Sequence, residues 1–459
     1  MTFSKPLRFE DNRKAIVSDV FQVAFPAFIQ AVLIASTVAI DMIMVGRLGD
    51  FAIAAVGLCF QPVLILQLVL VAFIGGLSPI IAHHIGAGKT EKANDALRQG
   101  LIISLVVSVL LSVFGYMMAD SIVSLMGANA ETQAPSAIYF RMLMFGLVPM
   151  SLSICITSAL RGAGDVAPLV YVSAISSAVS IGFNYLLIYG NFGFPRLGVM
   201  GAGIATSLGH LTGCIITFAL VFSHRRKVSL IVNGSIRLDK ETVSEFLRMG
   251  LPVAGHRISV RVGMLIMVRM VSSFGTEAFA AHQIVSNLAF MAFWVGEAVS
   301  TATTSLVGQS LGMKKTELAR KYISATRLFA MTYPIITGAM LILFARPLMG
   351  LYTQSEATIL FGMAVIPIIA VFQPFQSGCS VVAGGLTGMK KPHHAAIAIS
   401  AGIVVIRPAS ALLLTNVLSF GFAGIWIAIG IDEIFRFFYV NRAVRIESNK
   451  LLLTYPQNT

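Results

Sequence analysis

Long apolar runs separated by short polar breaks extend over nearly the whole chain. About 20 apolar residues in a helix span the hydrocarbon core of a bilayer, so a run of this length predicts a membrane-spanning helix. Twelve spans are predicted, at about 17–45, 51–82, 96–119, 136–160, 167–190, 199–223, 245–271, 278–306, 322–344, 358–385, 393–416 and 420–441. The pattern therefore predicts an all-α polytopic membrane protein.

The second half of the chain repeats the first at an offset of 226 residues. Pro26 matches Pro252, and Gly162 matches Gly388. Because each half has an even number of spans, both halves begin on the same side of the membrane. Parallel repeats of this kind carry substrate sites between the repeats, near the middle of the bilayer.

The repeat sets the predicted domain organisation. We predict twelve transmembrane helices in two pseudo-symmetric six-helix lobes, residues 1–223 and 245–459, joined by a polar cytoplasmic linker at 224–244. A central cleft that works by alternating access follows from the pairing of the lobes.

The composition is 56% hydrophobic and 12% charged, with a mean hydropathy of +0.84. Soluble domains carry roughly 25% charged residues, so the chain is a membrane protein. The net charge of +13 would suggest a nucleic-acid partner in a soluble protein. Here most Lys and Arg residues flank alternate loops, and the positive-inside rule places these loops and both termini in the cytoplasm. We expect a multi-pass protein of the plasma (inner) membrane, with the bilayer as partner and no nucleic acid.

Neither a metal site nor a nucleotide site is indicated. The four cysteines fall in apolar spans without paired spacing, which predicts buried thiols and no disulfide framework or zinc site. The segment Gly86–Thr90, GAGKT, has His83 where a phosphate-binding loop requires its first glycine. The chain also lacks a catalytic cluster, so no enzyme activity is predicted.

Besides Asp19 at its start, the first span carries a carboxylate, Asp41, after Pro26 and Gln30. A charged Asp that faces lipid costs roughly 2.5–3.5 kcal/mol, so Asp41 should face protein or water. Partial desolvation favours a proton or a cation as its partner. Pro26 removes one backbone hydrogen bond and lets the helix bend. The alternative is an Asp at the membrane interface, since Arg47 follows closely.

Several motifs together resemble the multidrug and toxic compound extrusion (MATE) family of twelve-helix secondary antiporters. The resemblance covers essentially the whole chain and rests on Pro26, Gln30 and Asp41 followed by MIMVG, on Leu160–Asp165 (LRGAGD), on Asn184–Gly190 (NYLLIYG), and on Ala280–Gln283 (AAHQ). It implies two six-helix lobes and the export of organic compounds.

The resemblance also implies a coupling site. In the family the first-helix aspartate takes part in proton or cation coupling beside polar residues of the fifth and sixth helices, which correspond here to Asn184 and Thr206. Ser180 stands where many members have Asn. The NorM branch has sodium-binding acids at positions that correspond to Val260 and Gln376. Proton coupling is therefore favoured over sodium, with no other cofactor.

The second half carries charges that depart from the family pattern. They are Arg257, Arg261, Glu297, Arg407, Asp432 and Glu433. Arg257 and Arg261 share one helix face, and Arg257, Glu297 and Asp432 lie within about 8 Å of the membrane midplane at 1.5 Å per residue. Three interpretations stay open: an internal ion-pair cluster in which Arg257 or Arg261 pairs with Glu297 or Asp432, direct substrate contact, or coupling.

The leading hypothesis is a monomeric antiporter that exports organic, cationic or amphipathic compounds from the cytoplasm in exchange for protons. Met and aromatic side chains suit such substrates. Candidate substrate-cleft residues are Gln30, Tyr139, His256, Arg257, Arg261, Gln283, Glu297 and Gln376. The alternatives are a sodium-coupled drug antiporter, a flippase for lipid-linked substrates, and, from another class, a membrane enzyme or receptor.

Overall fold

The computed structural model describes residues 7–223, 226–230 and 239–454, and within these ranges it is helical without strands. The helices are α1 Arg13–Gly46, α2 Asp50–Ile74, α3 Leu77–Gly86, α4 Thr90–Met117, α5 Ala119–Leu125, α6 Gln133–Gly162, α7 Ala167–Tyr189, α8 Val199–Val221, α9 Lys240–Ser272, α10 Thr276–Gly312, α11 Thr316–Leu343, α12 Ala345–Gly350, α13 Glu356–Gly388, α14 Pro392–Ala401, α15 Arg407–Leu412 and α16 Gly421–Thr454. The predicted all-α membrane fold is confirmed.

Eleven helical segments of the described residues are long and apolar enough to cross a membrane. Helices α2 and α3 together provide one of them, interrupted at Gly75 and Gly76. The twelfth predicted span, 420–441, lies in α16, a helix of 34 residues. This helix is less apolar because Asp432, Glu433 and Arg436 stand inside it.

The sequence repeat is visible in the turns between helices. Gly49 and Gly275, which precede α2 and α10, have φ angles of +116° and +95°. Gly88 and Lys314, which follow α3 and α10, have φ angles of +70° and +61°. Left-handed backbone favours glycine, yet Lys314 adopts the same conformation as its glycine counterpart. The turn geometry is therefore preserved where the residue type is not.

Glycines at matching positions also let helices approach closely. A side chain at Gly162 of α6 would clash with the backbone carbonyl of Ser78 in α3. Its counterpart Gly388 of α13 lies in the same way against the carbonyl of Thr304 in α10. Each half thus uses one glycine to bring two helices together at the same point of the repeat.

The chain forms two compact units whose boundaries fall inside helices. One unit comprises Phe25–Leu251, and the other comprises the described residues of Pro6–Ala24 and Pro252–Thr459. The predicted lobe boundary in the linker 224–244, of which 224–225 and 231–238 lie outside the described residues, stays a prediction. The observed boundaries coincide with the helix-internal prolines of α1 and α9, where the missing N–H leaves a weak point in the helix.

A buried carboxylate attaches the start of the chain to the second unit. Asp19 is fully buried and accepts hydrogen bonds from the backbone N–H groups of Arg8 and Phe9 at 3.0 and 3.1 Å. The Tyr322 hydroxyl of α11 donates at 2.6 Å to Oδ2 of the same carboxylate, the oxygen that also accepts from Phe9. Three donors satisfy the buried charge, so the first turns of α1 belong with α11.

Candidate functional site

Asp41 lies in the C-terminal half of α1 and is half-buried. The apolar residues around it form a continuous helix, which places the carboxylate inside the spanning segment. Asn184 of α7, which is fully buried, donates from Nδ2 to Oδ1 of Asp41 at 2.6 Å. The structure therefore joins the two residues that the family resemblance had paired, across 143 positions of sequence.

Tyr139, Thr206 and Ser180 carry the hydroxyl groups predicted for the cleft and coupling sites. Tyr139 of α6 interacts with Thr206 of α8 and lies close enough to Asp41 to experience its charge. The Thr206 hydroxyl itself donates to the carbonyl of Ala202 at 3.0 Å, so it does not bond to Asp41 directly. Ser180, one turn before Asn184, is buried. Tyr139, assigned from sequence to the substrate cleft, thus stands beside the predicted coupling residues.

The carboxylate of Asp41 has no basic partner among the described residues. Its amide neighbour leaves one atom unsatisfied, because Oδ1 of Asn184 is buried without a hydrogen bond. An amide can donate to a carboxylate and, through its oxygen, accept from a protonated carboxyl group. The pair can therefore accommodate Asp41 in either protonation state, which is what a proton-binding site requires.

Gln30 and Pro26 stand further along the same helix. Gln30 is buried and accepts a hydrogen bond from Nη2 of Arg161 at 2.7 Å. Arg161 lies at the end of α6, in the same unit as Gln30. The Gln30 side chain is therefore hydrogen-bonded within its own unit. Pro26 lies next to the boundary at which α1 passes from one unit to the other.

Asp432 is the centre of a buried ion-pair cluster in the second unit. It accepts from Nε and Nη2 of Arg407 at 2.9 and 2.6 Å, and from Nε and Nη2 of Arg436 at 2.8 and 2.9 Å. Glu433 is buried close to both arginines. Gly402 is required here, since a Cβ atom would collide with Asp432 and Arg436. The stretches Gly402–Ile406 and Leu413–Val417 on either side of Arg407 and its helix are π-helical.

The ion-pair partners predicted from sequence were wrong. Neither Arg257 nor Arg261 lies within ion-pairing distance of a carboxylate of the described chain, and both are exposed. Glu297 instead accepts a short hydrogen bond from the Ser380 hydroxyl of α13. The acids predicted as their partners are already occupied, so the two arginines of α9 stand apart from the cluster.

The remaining candidate residues are dispersed. His256 of α9 lies near Arg436, Gln376 of α13 is half-buried, and Gln283 of α10 is exposed. These three do not share a hydrogen bond. The structure thus brings the Asp41 group together in one unit and does not assemble the predicted cleft residues of the second unit into one cluster.

Sequence reasoning missed two members of these sites. Arg436 is absent from the charges singled out in the second half of the sequence, although it is buried beside Asp432. Its spacing of four residues from Asp432 on one helix was the available signal. Ser380, the donor to Glu297, carried no signal, because a serine in an apolar span resembles many others.

Comparison with known proteins gives matches over most of the chain. A family model described as MatE matches residues 26–186 and 252–413. The "Probable multidrug resistance protein NorM" of Thermotoga maritima is 26% identical over 422 residues, which is 92% of this chain and 90% of that protein. A solved structure described as "Crystal structure of MATE in the bent conformation" has a TM-score of 0.89 at 21% identity, covering 96% of this chain and 97% of the other. The two ranges of the family model begin at Pro26 and Pro252, the matched prolines of the repeat.

Proposed function

Because the chain belongs to the MatE family of membrane transporters, we propose that it exports small organic compounds from the cytoplasm in exchange for protons, by alternating access of its lobes. The observation that carries this proposal is the hydrogen bond between Asp41 and Asn184 inside the spanning helices. An intramembrane carboxylate without a basic partner is a site where a proton can bind and leave. One chain holds both lobes, so the proposed working unit is a monomer.

The coupling mechanism follows from the position of Asp41 on α1. A ligand shifts a conformational equilibrium only through a difference in its affinity for the two states. Helix α1 contains residues of both units, with Pro26 next to the boundary. A change in the charge of Asp41 therefore acts on a helix that is common to both units and is able to bend.

Transport by the reconstituted protein tests the proposal. In proteoliposomes, an imposed pH gradient should drive movement of a fluorescent organic compound, and a sodium gradient of equal size should not. An absolute requirement for sodium would contradict proton coupling. Movement of a lipid-linked oligosaccharide without dependence on either gradient would favour the flippase alternative.

The proposed orientation, with the loops after α3 and α10 in the cytoplasm, can be tested by thiol labelling. The four native cysteines are buried, so the wild-type chain gives a low background. In intact cells, Lys89→Cys and Lys315→Cys should resist a membrane-impermeant maleimide and should react after permeabilisation. Phe192→Cys is the control from the opposite side, since Phe192 is 86% exposed between α7 and α8. Labelling of the two loop positions, but not of position 192, in intact cells would reverse the orientation.

A further inference from the structure

Arg257 and Arg261 of α9 carry charges that the described part of the second unit does not compensate. Arg407 and Arg436 share Asp432, with Nη2 of Arg407 2.6 Å from Oδ2 and Nε of Arg436 2.8 Å from Oδ1. Glu433 lies beside both arginines, and Glu297 accepts a hydrogen bond from Ser380. Among the described residues, no acid lies within ion-pairing distance of the two arginines of α9. Their partner must therefore come from outside the acids just named.

The depth of these arginines in the membrane makes the missing partner significant. At 1.5 Å per residue, Arg257 lies about 26 Å from Lys240 and about 23 Å from Ser272, the ends of α9. The hydrocarbon core is about 30 Å thick, so Arg257 stands near its centre and Arg261 about 6 Å further along. Arginines reach the membrane surface only from near the ends of a helix. Both guanidinium groups therefore need water or an anion at mid-depth.

The two side chains also lie on the side of α9 away from its contacts with Ser400 and Ile403. The hydroxyl of Ser259 is 2.7 Å from that of Ser400, and Gly263 lies tightly against Ile403. Arg257 and Arg261 are each two residues from Ser259, about 160° round the helix. They are exposed, so a ligand can reach them without displacing the packing of α9.

The internal repeat shows that the fold does not require arginine at these positions. The counterparts of Arg257 and Arg261 in the first half of the chain, 226 residues earlier, are Ala31 and Ala35. Helix α1 forms a full-length spanning helix with these alanines. The two charges are therefore specific to the second half and are explained better by a ligand than by folding.

We propose that Arg257 and Arg261 hold the acidic group of an amphipathic organic anion, which makes organic acids the substrate class of this exporter. The proposal rests on the proposed export function and replaces the cationic class expected from sequence. Guanidinium groups bind carboxylate and phosphate through paired hydrogen bonds, and a spacing of four residues lets both side chains reach one group. Leu265, one turn beyond Arg261, is 71% exposed and offers apolar surface for the body of the ligand.

Binding of two dyes of opposite charge tests this assignment. Fluorescein and a rhodamine methyl ester share a xanthene core, but the first is anionic and the second cationic. In phosphatidylcholine nanodiscs, the wild-type protein should bind fluorescein more tightly. Arg257→Gln combined with Arg261→Gln should weaken fluorescein binding by about tenfold or more, because two charge-assisted contacts are lost, and should leave rhodamine binding unchanged. Arg269→Gln, at an exposed position of the same helix, is the matched control and should change neither.

Two controls keep the outcome decisive. The paired Lys substitution should keep part of the fluorescein binding, because the charge remains while the paired geometry is lost. Equal or tighter binding of rhodamine by the wild type, or unchanged fluorescein binding in the paired Gln variant, would overturn the proposal. Nanodiscs that contain phosphatidylglycerol test whether the anion at this site is a lipid headgroup. If the arginine substitutions change the amount of bound lipid but not the binding of dye, the site belongs to lipid and the proposal is overturned.

The dye experiment is independent of the coupling ion. If fluorescein binds through the two arginines but no pH gradient drives its export, the proposed function fails and the anion site stands. If a pH gradient drives export of the rhodamine ester alone, with no effect of the arginine substitutions, the proposed function stands and the anion site fails.

Discussion

Replacing Asp432 by alanine should destabilise the second unit by about 3–5 kcal/mol, because the change leaves buried charges without their partner. Asp432 is fully buried and accepts four hydrogen bonds, two from Arg407 and two from Arg436. Glu433 is close to both guanidinium groups but makes no hydrogen bond to either within the described residues. We therefore expect Asp432→Ala to lower both the yield and the Tm of the detergent-solubilised protein.

The matched control removes a carboxylate from an exposed arginine pair. Arg346 and Glu356 are 2.6 Å apart, but their side chains are 61% and 57% exposed, and exposed pairs contribute only about 0–1 kcal/mol. The Tm should therefore fall far more for Asp432→Ala than for Glu356→Ala. Adding Arg407→Leu to Asp432→Ala should recover part of the loss, because one stranded charge is removed. Similar Tm values for the two single variants would contradict a stabilising role for the cluster.

The helices and their repeat could be predicted from sequence because both depend on short-range patterns. The length of an apolar run reports the thickness of the bilayer, and eleven helical segments of the described residues are long and apolar enough to cross it. The matched prolines, Pro26 and Pro252, and the matched glycines, Gly162 and Gly388, share the offset that identifies the repeat. The repeat did not reveal that the two units divide at these prolines. The position of this division depends on which helices the first turns of α1 and α9 pack against.

The partners of the intramembrane charges could not be predicted in the same way. Position along a helix gives the depth of a residue, but it does not give its direction when the helix is irregular. The π-helical stretch before Arg407 adds a residue to the turn, which rotates the following side chains by about 100° relative to a regular helix. Arg407 therefore reaches Asp432, while Arg257, at a similar depth, points elsewhere.

Contacts between residues far apart in the sequence could not be predicted for the candidate sites. The buried hydrogen bond from Tyr322 to Asp19 spans 303 positions of sequence, and no local pattern indicates it. The pairing of Asp41 with Asn184 was anticipated only through the resemblance to a known family. Residues alone identified Asp41 as a carboxylate within an apolar stretch of a spanning helix, and this property is the one on which its proposed role depends.

Replacing Asp41 by asparagine should abolish transport driven by a pH gradient and leave folding near normal. The substituted amide keeps the shape of the side chain, and its oxygen can still accept the hydrogen bond from Asn184, which is 2.6 Å long in the wild type. An amide cannot bind and release a proton at physiological pH, so the exchange reaction loses its coupling group. In proteoliposomes, pH-driven movement of the dye should fall to the level of protein-free vesicles, while the Tm stays close to that of the wild type.

Binding measurements separate a coupling role from a purely structural one. If proton and substrate occupancy are linked through Asp41, the substrate affinity of the wild type must depend on pH, by the reciprocity of linked equilibria. Asp41→Asn should remove this pH dependence while binding itself persists. Asp120→Asn, which removes the carboxylate of an exposed pair with Arg141 in the same unit, should leave both transport and its pH dependence intact. Robust pH-driven transport by Asp41→Asn would refute the mechanism, and loss of Tm together with loss of binding would show that Asp41 serves the fold rather than the coupling.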